Sequence, residues 1–235
     1  MTTKPARLLD QYFYLFMSLL IAAAVVFGFS QTVEKSLIHA VPPRPLLLYV
    51  HGTVFSGWVA FLIFQSLLVR THHVRWHRTL GWFGVALGSA VVVLGVWIAI
   101  VMSRFRIVHF HGKGAVPNLG LSFYDITAFA VPFALAIAWR KKPEYHRRLI
   151  LLATCALTSA AFARFPPSLM PKHWFFVGVD SLVLLGVAHD LIVSRRIHRV
   201  WVVGLPVFVV CQVAVMYVLL SNAPWWRSVA NAILR

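Results

Sequence analysis

The sequence predicts an all-α fold: a polytopic transmembrane helix bundle of seven spans, forming a single transmembrane domain over residues 1–235. Three observations carry that expectation. Hydrophobic residues make up 60% of the chain and charged residues only 12%, where an ordinary soluble domain carries about 25% charged residues. The apolar residues gather in long uncharged runs, and about 18 or more such residues in succession read as a membrane-spanning helix. The 22 Lys and Arg residues, set against 6 acids for a net charge of +16, fall mostly between those runs. That placement suits anchoring against anionic headgroups. Nucleic-acid binding is excluded as an expectation, because no recognition motif accompanies the charge. The expected environment is the lipid bilayer of the inner (plasma) membrane.

The spans expected in chain order are 11–30, 46–69, 80–102, 122–139, 147–165, 174–193 and 200–220. The first, Tyr12 to Phe29, follows a basic region holding Lys4 and Arg7. It is too long for a signal-peptide core and lacks a clear small-residue cleavage site, so it reads as a retained span. Breakers mark the joints: Pro42, Pro43 and Pro45, then Pro117, Pro143, Pro166, Pro167 and Pro171. Pro132 and Pro206 fall inside spans, where a kink is tolerated if neighbours satisfy the freed carbonyl. Every crossing must be helical, since lipid offers the backbone no hydrogen-bond partner. Gly84, Gly88 and Gly95 in the third span, and the ATCALTSAA stretch (153–161) in the fifth, read as surfaces for close helix contact. Cys155 and Cys211 read as small buried hydrophobes.

With the N-terminus inside, the cytoplasmic segments hold thirteen Lys and Arg and the external ones nine. The positive-inside bias therefore predicts N-in, C-out. Loops 70–79, 140–148 and 194–199 are then cytoplasmic, and each delivers a His-Arg doublet to the start of a span: His77-Arg78, His146-Arg147 and His198-Arg199. Arginine at that level is explained by snorkelling to lipid phosphate. A histidine at each of three equivalent places exceeds what anchoring needs.

Ionisable residues inside a span are costly and point to function. His51, Asp125 and Asp180 are expected roughly 5–9 Å below the outer boundary, on three different helices. They form a candidate metal set, with a structural alternative in which Asp125 caps its helix and Asp180 pairs with Arg164 or Lys172. The loop 103–121 brings His109 and His111 to the same side. His51, Trp58, Gln65 and His72 recur every seven residues, which places them on one helical face. At the opposite surface His77, His146 and His198 are joined by His189 and Asp190. Two histidine layers near opposite surfaces suggest axial haem ligation, with His51 paired to His109 or His111 and His77 paired to His146.

The segment HGTVFSGWVAFLIFQSLLVRTHHVRWHRTLG (51–81) and the segment HRRLILLATCALTSAAFAR (146–164) resemble a family of bacterial multi-pass membrane proteins. That family is marked by His-Gly, Gln, His-Arg-x-Leu-Gly and a second His-Arg segment. Related sequences also resemble DSLVLLGVAHDLIVSRRIHR (180–199). Some members carry Trp-Met where this chain has Leu149-Ile150. The resemblance implies a multi-pass architecture and marks His51, Gln65, His77, Arg78, His146, Arg147 and Arg164. It implies no reaction.

The leading functional expectation is a membrane-embedded partner or scaffold acting with other membrane subunits, because it demands no special chemistry. The alternatives are a redox protein holding haem b or a metal ion, and a proton-coupled or anion carrier. No nucleophile or metal motif points to an enzyme.

Overall fold

The computed structural model describes residues 4–111, 115–221 and 223–235, apart from the side chains of 4–7 and 117. Lys4 and Arg7, and residues 112–114 of the expected external loop, thus fall outside the described side chains. Helices occupy 83% of the described residues, with no strand among them. In order they are α1 (Lys4–Ser30), a short π-helical turn (Glu34–Ile38), α2 (Leu46–Arg70), α3 (Val74–His109), α4 (Ala115–Ala138), α5 (Pro143–Ala156), α6 (Ser159–Phe162), α7 (Phe175–Ser194), α8 (Arg199–Ser221) and α9 (Pro224–Leu234). Six of them (α1, α2, α3, α4, α7 and α8) are long and apolar enough to cross a membrane.

The expected joints are shifted in informative ways. α3 has 36 residues, about 54 Å at 1.5 Å per residue, which exceeds the roughly 30 Å of hydrocarbon. It therefore absorbs most of the loop expected at 70–79 and the first part of the loop expected at 103–121. α4 begins at Ala115 rather than near 122. Pro117 sits in its first turn, where a missing N–H would be unpaired in any case. Pro143 and Pro224 likewise start helices α5 and α9 rather than merely separating them.

The span expected at 147–165 is the largest departure, because it is two helices, α5 and α6. The ATCALTSAA stretch breaks it. Leu157 N–H donates to Thr154 O at 3.2 Å and Thr158 N–H to Cys155 O at 3.0 Å, which tightens the turn. The Thr154 and Thr158 hydroxyls also donate to Ile150 O (2.9 Å) and Cys155 O (2.6 Å), a local competition for carbonyls that bends helices.

The main core joins Met17 and Ile21 of α1, Leu152 and Cys155 of α5, Phe176 and Val183 of α7, and Trp201 of α8. A second core packs Trp58, Val91, Phe129, Phe133 and Ala153 where α2, α3, α4 and α5 meet. A third seats Ala230 and Leu234 of α9 against Ala99 of α3 and Leu119 of α4. The glycines of α3 receive side chains rather than a neighbouring backbone: Gly84 faces Phe61, Gly88 faces Phe133, and Gly95 faces Ile126. The close backbone approach lies elsewhere, between Gly28 of α1 and Ala161 of α6. Cys155 is buried as expected, but Cys211 is exposed, because the α8 face that carries it is uncovered.

Large apolar side chains such as Phe16, Val26, Val93, Trp97, Val203 and Val210 are exposed around the bundle, as surfaces bathed in lipid must be. Exposed tryptophans gather at both ends. Trp76, Trp82 and Trp139 lie at the end holding the His-Arg doublets, and Trp174 and Trp225 at the other. Such girdles match the two interfaces of a bilayer. The protein is a helical membrane protein.

Candidate functional site

Two polar regions differ in how their carboxylates are paired, while each holds buried side-chain nitrogens without a hydrogen-bond partner among the described residues. The first is an ion-pair network where the start of α1, the start of α5 and the end of α7 meet. Arg148 and Asp190 are buried there, with side chains 5% and 1% exposed. The guanidinium grips the carboxylate at two points, Nε to Oδ2 at 3.0 Å and an Nη to Oδ1 at 2.6 Å. Its other Nη donates to the Glu144 carboxylate at 2.6 Å and to Glu144 O at 2.9 Å. Asp190 Oδ2 also accepts the His198 backbone N–H at 3.1 Å. Arg147 pairs with Glu144 at 2.8 Å and with Asp10 at 3.4 Å. His189 stacks on Phe13 with ring centroids 3.9 Å apart, and its Nε2 lies 3.4 Å from Asp10.

Glu144 feels burial, which works upward on its pKa. Its bonds to Arg148 and Arg147 outweigh that and hold the carboxyl below the usual range. His198, in the turn between α7 and α8, is pushed down by burial and by the nearby Arg148. The sequence reading named Arg147, His189, Asp190 and His198 here. It missed Arg148, Asp10 and Glu144. The i,i+4 spacing of Glu144 and Arg148 was the available signal.

The second region is a seam along α2, α4 and the α5–α6 pair. Trp58 donates from Nε1 to Thr154 Oγ1 at 3.3 Å, with its edge against Phe129 and Phe133. One heptad on, Gln65 is buried, and neither amide atom has a hydrogen-bond partner among the described residues. His77 of α3 and His146 of α5 meet beside it, rings 6.3 Å apart and nearly perpendicular. His146 Nδ1 lies 2.9 Å from Ala136 O. A carbonyl can only accept, so Nδ1 carries the proton and the Nε2 lone pair is free. His77 Nδ1 is buried without a partner among the described residues, as is His51 Nδ1 at the far end of the stripe. His72 leaves the stripe: α2 ends at Arg70, and His72 is an exposed turn residue with φ 64°.

The expected outer layer separates into independent pairs. Asp125 lies three turns inside α4 rather than at a cap, and its Oδ2 accepts the Ser159 hydroxyl at 2.7 Å. Its Oδ1 is buried without a partner among the described residues. Asp180 accepts from Gln212 at 2.9 Å, not from Arg164 or Lys172. Arg164 instead binds Thr32 Oγ1 at 3.2 Å and Ala160 O, with its guanidinium over the Phe29 ring. Among the described residues no three His, Cys, Asp or Glu side chains form a metal-holding group, so His51, Asp125 and Asp180 do not converge. His109 closes α3 and packs at a tilt against Phe105 with ring centroids 4.4 Å apart, His111 follows it in a left-handed conformation, and both are exposed. Arg78 is exposed too.

Comparison with family models, curated proteins and solved structures finds no match to this chain.

Proposed function

We propose that the chain is a seven-crossing membrane protein, N-terminus inside and C-terminus outside, whose seam from Asp125 to His77 carries protons across the bilayer, alone or coupled to a small solute. The observation behind this reading is that Asp125 Oδ1 of α4, the Gln65 amide and His51 Nδ1 of α2, and His77 Nδ1 of α3 are all buried without a partner among the described residues. Buried polar groups are almost always satisfied within a fold, so these exceptions need a functional account. The helix interruption at 157–158 falls beside the seam, between Thr154 and Ser159. Irregular backbone at membrane depth is tolerated where it lines a polar path.

The seventh crossing rests on α5 and α6 together. Residues 143–162 span about 30 Å at helical rise. They follow both neighbours end to end, from His146 at Ala136 to Ser159 at Asp125, and from Arg148 at Asp190 to Phe162 beside Gly178.

In this mechanism Asp125 takes up a proton on Oδ1 and holds it as a neutral acid while Ser159 donates to Oδ2. The proton leaves through the His77–His146 pair, where His146 Nε2 accepts and His77 passes it on. Trp58 and Gln65 stand one heptad apart, about 10 Å along the axis, so water must bridge the levels. Of the seven positions that carry the family resemblance, His51, Gln65, His77 and His146 belong to this proposed seam, whereas Arg78, Arg147 and Arg164 do not.

Reconstitution into vesicles loaded with a pH-sensitive dye, with a potassium-diffusion potential applied, tests the reading. Proton flux should exceed that of protein-free vesicles and fall at least about tenfold in Asp125→Asn, the scale of a lost proton-transfer group. Flux equal to that of empty vesicles would sink it.

A second reading is favoured by one measurement, the 6.3 Å between the His77 and His146 rings. His77 and His146 would be the pair to hold a haem iron, which would supply one-electron chemistry there. An absorption spectrum of purified protein with a Soret band lost in His146→Ala would support it. A colourless, flux-free preparation would leave the scaffold role.

A further inference from the structure

We propose that the groove between α4 and α8 is a binding site for one anionic phospholipid, acyl chain in the groove and headgroup on Lys142 and Arg199. The groove encloses about 690 Å³, within the range of about 300–1,000 Å³ typical of small-molecule sites. Its floor is α5, through Leu149 and Leu152, and its walls are aliphatic, with Val131 and Leu135 on one side and Val203 and Val207 on the other. It runs on α8 from Cys211 to Arg199, twelve residues or about 18 Å. One leaflet of a bilayer contributes about 15 Å of hydrocarbon, so the groove accommodates an acyl chain along that depth.

Charge and aromatic placement select the occupant. Charge is confined to one end of the groove, where Lys142 and Arg199 are both exposed and line the mouth, while Tyr124 and Thr127 line the other end. Trp139 packs edge-on against Tyr145 at 5.1 Å, and the Lys142 ammonium lies 6.0 Å from the Tyr145 ring. His198 packs on the other side of Tyr145 at 4.6 Å. Its Nδ1 accepts the Val200 N–H at 3.2 Å, so the neutral ring has Nε2–H to offer a phosphate oxygen. An aliphatic slot ending in two cations at an aromatic belt is complementary to a lipid with a negative headgroup. Val131, Val203 and Val207 are exposed, so the slot opens sideways and a chain can slip in from the bilayer. The site stands apart from the proton seam and does not depend on it.

Native mass spectrometry of the full chain in detergent, with equal dioleoylphosphatidylglycerol and dioleoylphosphatidylcholine, tests the assignment. One phosphatidylglycerol should be retained, preferred on the order of tenfold, as two cations near one headgroup imply. Lys142→Gln with Arg199→Gln, both at exposed positions, should equalise the two lipids while keeping one bound. Val207→Trp should fill the slot and release both lipids. Equal retention by the unaltered chain, or a lipid kept by Val207→Trp, would overturn the proposal. So would displacement of the lipid by an equal concentration of glycerol phosphate, which would make the site one for a free anion. A second copy of the chain found in place of the lipid would do the same.

Discussion

The two polar regions are built from the same residue types, yet they treat their carboxylates in opposite ways, although Arg147 Nε and both ring nitrogens of His189 are also buried without a hydrogen-bond partner among the described residues. Around Arg148 every carboxylate meets a guanidinium or a backbone N–H: Asp190 accepts four hydrogen bonds, Glu144 binds two arginines, and Asp10 meets Arg147. Along the seam, Asp125, Gln65, His77 and His51 each keep at least one buried atom unpaired among the described residues. Paired charge in low dielectric locks the ends of α1, α5 and α7 together. Unpaired polar groups lock nothing and destabilise the fold, so their retention is an argument for work done on something other than the protein itself.

The largest effect should come from the locked end. Arg148→Met leaves Asp190 buried beside a neutral side chain and should cost about 3–5 kcal/mol, read as a large loss of thermal stability in detergent. Replacing Asp190 by Leu in the same chain should recover much of it. A small loss in the single variant would place the two regions on the same footing.

Next comes the seam. Gln65→Leu removes a buried amide without protein partners and should stabilise the fold by about 1 kcal/mol, while proton flux falls. A destabilised Gln65→Leu protein would mean that the amide is structural after all. A smaller effect is expected at Trp58→Phe, which gives up the bond to Thr154 and should cost roughly 0.5–1.5 kcal/mol.

The pH dependence of stability is the finest test. Glu144 is held below its ordinary value, so its contribution is complete above about pH 4.3, the unfolded carboxyl pKa, and fades as pH falls through the lower folded one. His198 is also lowered. The fold favours its neutral form, so stability is full above about pH 6.5 and declines as pH drops below it toward the folded value. Glu144→Gln and His198→Gln should each flatten their own part of the unfolding profile against pH. An unchanged profile in both would remove the acid sensitivity from this network.

Most of the helices were legible because their signal is local. Length and hydropathy locate α2, α7 and α8 and the end of α1 to within one residue, while α1 starts seven residues before the expected span, and the His-Arg doublets do lie at or beside the starts of α3, α5 and α8. Proline was the weaker guide. Pro117 and Pro143 read as breaks yet stand in the first turns of helices, where the absent N–H costs nothing. The heptad of α2 correctly picked out Trp58 and Gln65 as buried, but it overran the helix end at His72.

What the sequence determined alone is the helical membrane protein, since apolar runs in lipid leave the backbone no other way to satisfy its hydrogen bonds. Pairing was decided only by the tertiary structure. That Arg148 rather than Arg147 is the buried arginine depends on a rotation of about 100° around α5 and on where Asp190 arrives from α7. That His51, Asp125 and Asp180 part company depends on Ser159 and Gln212 reaching two of them first. Depth along a helix can be counted from the chain, whereas which side chains meet across helices is set by packing.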